Sequence, residues 1–217
     1  MVRCRSSIDP SRAMSRPIPI VIATEDLLGE SIAERLLAGS SRAFEVRYRL
    51  GKQGVVYLKD NVLGWNRTIA PHCPVLVLAD LDMHPCAGEL LEQWVPRAVR
   101  DDGLLLRLAV REAEAWLLAD DEGVSKLLGV SKVKVPPSPE NLDDPKATLI
   151  SLARRGRRRS ICDGMVPIGR SKTGPEYNAI LGQFVSQDWR PDVASRRASS
   201  LKRTMMAIQR FVLRRSA

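Results

Sequence analysis

The 217-residue chain has no apolar run near the roughly 20 residues that span a bilayer. Its longest candidates, Pro17 to Ala23 and Pro74 to Ala79, have the length of buried strands, so no membrane partner is expected. Residues 1–16 are basic and polar with no apolar stretch behind them. They read as a flexible basic tail rather than a secretory signal. Cysteine is sparse and unpaired in spacing: Cys4, Cys73, Cys86 and Cys162 stand far apart. No Cys-x-x-Cys or helical His pair supports a zinc site from His72, Cys73, His84 and Cys86. Free thiols and a cytoplasmic setting are the expectation. There is no internal repeat, and 44% hydrophobic with 27% charged residues excludes a disordered chain. Negative charge is also short. Against 34 Lys+Arg stand 25 Asp+Glu, a net charge of +9, which points to an anionic partner, most often nucleic acid. From Val193 to Ala217 there is no Asp or Glu at all, while Arg196, Arg197, Lys202, Arg203, Arg210, Arg214 and Arg215 are present.

What is there alternates. Ile18 to Ile22 is a continuous β-branched apolar run, the pattern of a strand buried on both faces. Leu28, Ile32 and Leu36 give residues 27–38 a helical stripe, and Gly39 stops it. Phe44 to Leu50 alternates apolar and charged residues, the mark of a strand with one wet face at a sheet edge. Val55, Leu58, Val62, Trp65 and Ile69 recur at helical spacing. Val75 to Ala79 reads as a strand, residues 88–95 as a helix, Leu104 to Val110 as a strand, and residues 112–118 as a helix. Strands alternating with helices predict an α/β fold with an open, mostly parallel sheet flanked by helices, over residues 17–121. After that, Val135-Pro136-Pro137-Ser138-Pro139 predicts a stiff connector. Helices follow over residues 146–155, 176–185 and 198–213, so residues 122–217 form a basic, mainly helical C-terminal extension. Asp143 or Asp144 would cap the first of these, with Pro145 at its first position.

Acids fall where the strands end. Glu25 comes three residues after the first strand, Asp80 and Asp82 directly after Val75 to Ala79, and Glu112 and Glu114 after Leu104 to Val110. Open parallel sheets bind ligands beyond the carboxyl ends of their strands. Adjacent strands would bring these five acids to one rim. Side chains two apart on an extended backbone point the same way, so Asp80 and Asp82 are expected to face one ion. A cluster of carboxylates repels itself and raises its own pKa values, and a hard divalent cation relieves that. Mg²⁺ is typically held by one or two carboxylates plus substrate phosphate.

These residues carry a resemblance. Ala23-Thr24-Glu25-Asp26-Leu27-Leu28-Gly29-Glu30 follows the first strand, Val77-Leu78-Ala79-Asp80-Leu81-Asp82 ends a later one, and Arg111-Glu112-Ala113-Glu114-Ala115-Trp116-Leu117-Leu118-Ala119-Asp120 comes next. In that order they resemble the Toprim fold of primases, topoisomerases and OLD-type nucleases, and more specifically small stand-alone Toprim-like proteins of unknown function. Leu142-Asp143-Asp144-Pro145-Lys146 and the basic helix after it are similar to that group too. The resemblance spans residues 18–160. It implies Mg²⁺- or Mn²⁺-dependent phosphodiester chemistry on nucleic acid, DNA or RNA, by a nuclease. Glu25 and Glu30 would be the catalytic acids, Asp80 and Asp82 the metal ligands, and Glu112 or Glu114 candidates for a second metal. It also implies a phage-defence context with an ABC-type ATPase as partner. Asp26 stands where the family's pattern has glycine.

The basic residues expected to hold nucleic acid are Lys146, the run Arg154, Arg155, Arg157, Arg158 and Arg159, and Arg170 and Lys172 in a glycine-flanked loop. Trp189, beside Arg190, reads as a loop residue able to stack on a base, whereas Trp65 and Trp116 lie on apolar stripes. Two other readings stand. A catalytically degenerate Toprim would only bind nucleic acid or a partner. A receiver-like domain would use Asp80 as phosphoacceptor beside Glu25 and Asp26, but it requires a Lys-Pro after a fifth strand, which the sequence lacks.

Overall fold

The computed structural model describes residues 16–215. Nearly all of the basic tail, with Cys4, lies outside them. Four strands form one sheet: β1 (Ile18–Thr24), β2 (Phe44–Gly51), β3 (Val75–Asp80) and β4 (Leu104–Ala109). The order is β2-β1-β3-β4, and every pairing is parallel. The expected α/β class and open parallel sheet are therefore what the chain forms. β2 is an edge, as its alternating pattern predicts; Glu45, Arg47, Tyr48 and Arg49 are exposed on it. Among the described residues no fifth strand exists for a receiver's lysine to follow.

The period of two sorts each central strand into two layers. Ile18, Ile20 and Ile22 of β1, Leu76 and Leu78 of β3, and Leu105 and Ala109 of β4 enter one apolar cluster. Val21, Ala23, Val75, Val77, Ala79, Leu104, Leu106 and Leu108 enter the other. Helices α2 (Gly54–Thr68) and α3 (Ala87–Trp94) close the second layer through Leu58, Val62, Trp65 and Trp94. The first is closed by α1 (Leu27–Ala38) and by the C-terminal half of the chain.

That half comprises α4 (Ala113–Leu118), α5 (Asp121–Leu128), α6 (Pro145–Arg154), α7 (Arg159–Met165), α8 (Tyr177–Gln187), α9 (Pro191–Ala194) and α10 (Ser199–Arg214). Among the described residues three 3-10 turns, Arg97–Val99, Lys132–Lys134 and Pro139–Asn141, complete the set of elements. Helix α8 lies along α1, α6 along α4 and α10 along β4. Leu149, Phe184, Leu201 and Ile208 join the same cluster as Ile20 and Leu76. The basic extension thus supplies one helical layer of the sheet.

The helix ends follow local chemistry. Asp144 caps α6 by accepting from the Ala147 amide at 2.6 Å, with Pro145 in the first turn. Gly129 ends α5 at φ 67°, the left-handed conformation glycine adopts without strain. Helix α10 starts with no side-chain cap of its own. Glu140, in the turn after the proline-rich connector, accepts from the amides of Ser199 and Ser200, both at 2.8 Å. Among the described residues no helix is long and apolar enough to cross a membrane, and Cys73, Cys86 and Cys162 are free thiols.

Candidate functional site

The carboxyl ends of β1, β3 and β4 lie side by side, and the acids that follow them meet there. Glu25 leaves β1 and reaches across to β3, where its Oε1 accepts the Asp80 amide at 2.7 Å. Asp26 caps α1 by accepting from the Gly29 amide at 2.8 Å. Its backbone is extended, φ −147° and ψ −175°, a conformation open to any residue. The glycine of the family pattern is not required here to aim Glu25. A glycine is required opposite. Gly51 ends β2 at φ 92°, and a Cβ on it would stand 2.1 Å from the Thr24 carbonyl oxygen. That close approach lets the chain turn over the end of β1, where Lys52 donates its amide to Thr24 at 2.7 Å.

Asp80 is the last residue of β3, and its Oδ1 accepts the Ala113 amide at the start of α4, 2.9 Å away. Extended backbone stops there. Leu81 is buried, and Asp82 turns into the left-handed region at φ 49° with its side chain exposed. The alternation that would put Asp80 and Asp82 side by side does not reach residue 82. Asp82 instead lies within electrostatic reach of Glu25.

The remaining acids converge through α6 and α8. Glu112 accepts the Lys146 amide at 2.9 Å and so holds the first turn of α6. Glu114, 1% exposed, accepts the Tyr177 hydroxyl at 2.9 Å and pairs with the Lys146 ammonium at 3.4 Å. Lys146 therefore stands half-buried within the acidic cluster. Tyr177 and Lys146 complete the rim from the far half of the chain. Tyr177 has no sequence signal, being one apolar position on a helical stripe.

One ammonium among five acids leaves the cluster under-compensated, and the acidities record it. Burial pushes Glu25 from its ordinary 4.5 to about 7; the Asp80 amide bond opposes this, and the Asp82 and Asp26 charges add to it. Asp80 is raised well above its usual range by burial, then by Glu114, Glu25 and Asp26. Glu114 is raised by burial against the pull of Lys146. Burial opposes the charge on Lys146, but Glu114, Glu112, Asp80 and Asp26 outweigh it and hold the ammonium above its ordinary range.

Glu30 is apart from these contacts. Its carboxylate pairs with Lys52 at 3.0 Å and Arg49 at 4.0 Å. Arg154, Arg155, Arg157, Arg158 and Arg159 are exposed where α6 passes into α7, and Arg170 and Lys172 are exposed in the loop before α8. Arg154 lies eight residues beyond Lys146, about 12 Å along the helix axis. Trp189 corrects the sequence reading. It is fully buried, donating its indole N–H to the Trp116 carbonyl at 3.3 Å. Its neighbour Arg190 anchors it by pairing with the buried Asp120 and with Glu122. The loop it seemed to occupy is a packed corner.

A divalent cation fits this donor set by chemistry. The donors are carboxylate oxygens, which suit hard cations, and the cluster carries excess negative charge. Glu25 Oε2 and Asp80 Oδ2 take no hydrogen bond among the described residues. In the arrangement described, no three His, Cys, Asp or Glu side chains among those residues form a closed metal cage. Mg²⁺ does not need one, because water and substrate phosphate fill its shell.

No protein-family model matches the chain, and no curated protein matches it. Among solved structures, the C-terminal region of the Burkholderia pseudomallei OLD protein is similar at 13% identity, over 88% of this chain and 96% of that one, with a TM-score of 0.40. That similarity is too distant to carry any residue across.

Proposed function

We propose that the chain is a Toprim-like, Mg²⁺- or Mn²⁺-dependent protein that acts on nucleic-acid phosphodiesters as a nuclease. The observation that carries this is the Glu25–Asp80 contact at the carboxyl edge of the sheet, in a carboxylate cluster that one lysine under-compensates. Glu25 and Asp80 would hold the ion, with Asp82 at the exposed side. When bound, the ion polarises a phosphoryl oxygen and neutralises developing charge.

The chain's own residues supply the rest. Glu25, whose carboxyl is raised to about 7 without the ion, would give up its proton as the ion binds. Asp80 is fixed by the Ala113 amide, so its second oxygen is held ready. Lys146 offers positive charge beside the phosphate path. Glu114 and Tyr177 act through Lys146 and are positioning residues. The exposed arginines from Arg154 to Arg159, with Arg170 and Lys172, neutralise the flanking backbone. An ABC-type ATPase partner and a phage-defence role belong to the same reading.

The test pairs binding with cleavage. Mg²⁺ or Mn²⁺ raises the Tm of the wild type by mass action, by about 2.7 kcal/mol of stability at a hundredfold excess over Kd. Asp80→Ala with Asp82→Ala abolishes that rise. Glu25→Gln retains oligonucleotide binding and loses metal-dependent cleavage of labelled DNA or RNA. An unchanged metal response in the double variant, or equal cutting by Glu25→Gln, refutes the site. A second reading, a binding module without catalysis, is favoured by the Lys146 ammonium already lying among the acids. It wins if the wild type cuts neither DNA nor RNA with either metal.

A further inference from the structure

A second charged feature lies along the other edge of the sheet and is used by nothing above. β4 is the edge strand opposite β2, and α10 runs beside it. By alternation Arg107 shares the face of Leu105 and Ala109, so it points under α10 into an otherwise apolar layer. Arg203, Ala207, Arg210 and Arg214 recur at four, three and four residues, which places them on one side of that helix. Ala207, Arg210 and Arg214, together with Arg100, border a groove of about 480 Å³ floored by Leu104 to Leu106, and Arg203 lies within electrostatic reach of Arg107 at that floor.

The groove is short of acceptors. The Arg107 side chain makes no hydrogen bond or ion pair among the described residues, and its Nε is buried without a partner. Neither Arg203 nor Arg210 is paired among them either. The acids at hand are Glu92, 3.9 Å from Arg100, and Asp102, 3.7 Å from Arg214, and Asp102 is almost fully exposed. Burial, followed by the charges of Arg203, Arg100 and Arg210, pushes the Arg107 guanidinium below its ordinary range. A half-buried cation facing three like charges is costly unless an anion joins it.

We propose that this groove is a phosphate-binding track that grips the backbone of a nucleic acid, with Arg107 at its floor, Arg210 and Arg214 along its wall and Arg203 beside it on the same side of α10. Guanidinium groups match phosphate oxygens two at a time, which is why the cluster suits phosphate better than a single carboxylate. Arg203 to Arg214 spans about 16 Å of helix, the axial rise of four or five phosphates in one strand of a duplex. The proposal rests on the nucleic-acid reading above but not on cleavage.

Binding is read in EDTA, where the carboxylate chemistry is silent, by anisotropy of a labelled single-stranded oligonucleotide across a salt series. Arg203→Gln with Arg210→Gln, both on the exposed side of α10, is expected to weaken binding about tenfold or more. It is also expected to flatten the log–log salt slope by about 1.4, since each phosphate contact contributes about 0.7. Arg107→Met keeps the apolar stem. It should raise the Tm of the free protein in low salt by about 2 °C or more and weaken oligonucleotide binding. An arginine with a merely structural role would lower the Tm. Unchanged affinity and slope in the double variant overturn the groove while leaving the nucleic-acid reading intact. A wild type that binds no oligonucleotide overturns both. Pyrophosphate is tested separately by its effect on Tm: a rise in the wild type that the double variant loses, with oligonucleotide binding preserved, assigns the site to a free polyphosphate and overturns the backbone track. Equal binding of poly-glutamate assigns it to an acidic protein partner and overturns it as well.

Discussion

Replacing Glu25 with glutamine should stabilise the metal-free protein, and only above the acid range. The folded carboxyl has its pKa raised to about 7 from an ordinary 4.5. Below 4.5 it is protonated in both folded and unfolded chains and no charge is buried. As the pH rises from 4.5 to 7 the unfolded chain ionises first, and the folded state loses stability relative to it. At about 1.4 kcal/mol per pH unit this amounts to about 3 kcal/mol by pH 8. Glutamine carries no charge, and its Oε1 can still accept the Asp80 amide. Glu25→Gln should therefore match the wild type in stability at pH 4 and exceed it by about 3 kcal/mol at pH 8. For a chain of this length that is a Tm difference of about 6–12 °C. Thermal or urea unfolding in EDTA at the two pH values measures it. An equal loss of stability at both would show that Glu25 is held by packing and hydrogen bonding rather than strained by charge.

Other consequences follow from the same contacts. Trp189→Ala should cost about 3–5 kcal/mol in urea unfolding, because it empties a core position between α4 and α8. Unchanged stability with lost oligonucleotide binding would instead restore its surface role. Arg190→Ala leaves the Asp120 carboxylate buried without its partner and should cost about 3–5 kcal/mol; a cost below 1 kcal/mol would show that water replaces the guanidinium. Neutralising Arg154, Arg155, Arg157, Arg158 and Arg159 should weaken oligonucleotide binding and flatten its salt slope while leaving the Mg²⁺-induced rise in Tm intact. A lost metal response would show that the two regions are coupled.

The alternation of buried strands with amphipathic helices was legible because each signal is local, a period of two or of 3.6 within a dozen residues. The gathering of acids at one rim was legible for a related reason: parallel strands put their carboxyl ends together, so position in the chain stands in for position in space. The details that no local pattern shows depend on a single dihedral or on distant partners. Asp82 leaves the plane of Asp80 because its φ is +49°, which no periodicity encodes. Glu30 is taken up by Lys52, which the turn after Gly51 brings over α1. Lys146 and Tyr177 reach Glu114 from 32 and 63 residues away. Trp189 looked like a loop residue because Arg190 and Pro191 follow it. The arginine marks the corner instead, because its partner is the buried Asp120, 70 residues away. The arginines of α10 were countable in the sequence, but only the placement of α10 beside β4 shows that two of them, Arg203 and Arg210, bear on Arg107.

The most direct measurement is an anomalous difference map from crystals grown with Mn²⁺. The account predicts a peak bonded to Glu25 and Asp80 at the carboxyl edge of the sheet, and its disappearance in Asp80→Ala. A map with no peak there at saturating Mn²⁺, or a peak held by other residues and unchanged in Asp80→Ala, would contradict it.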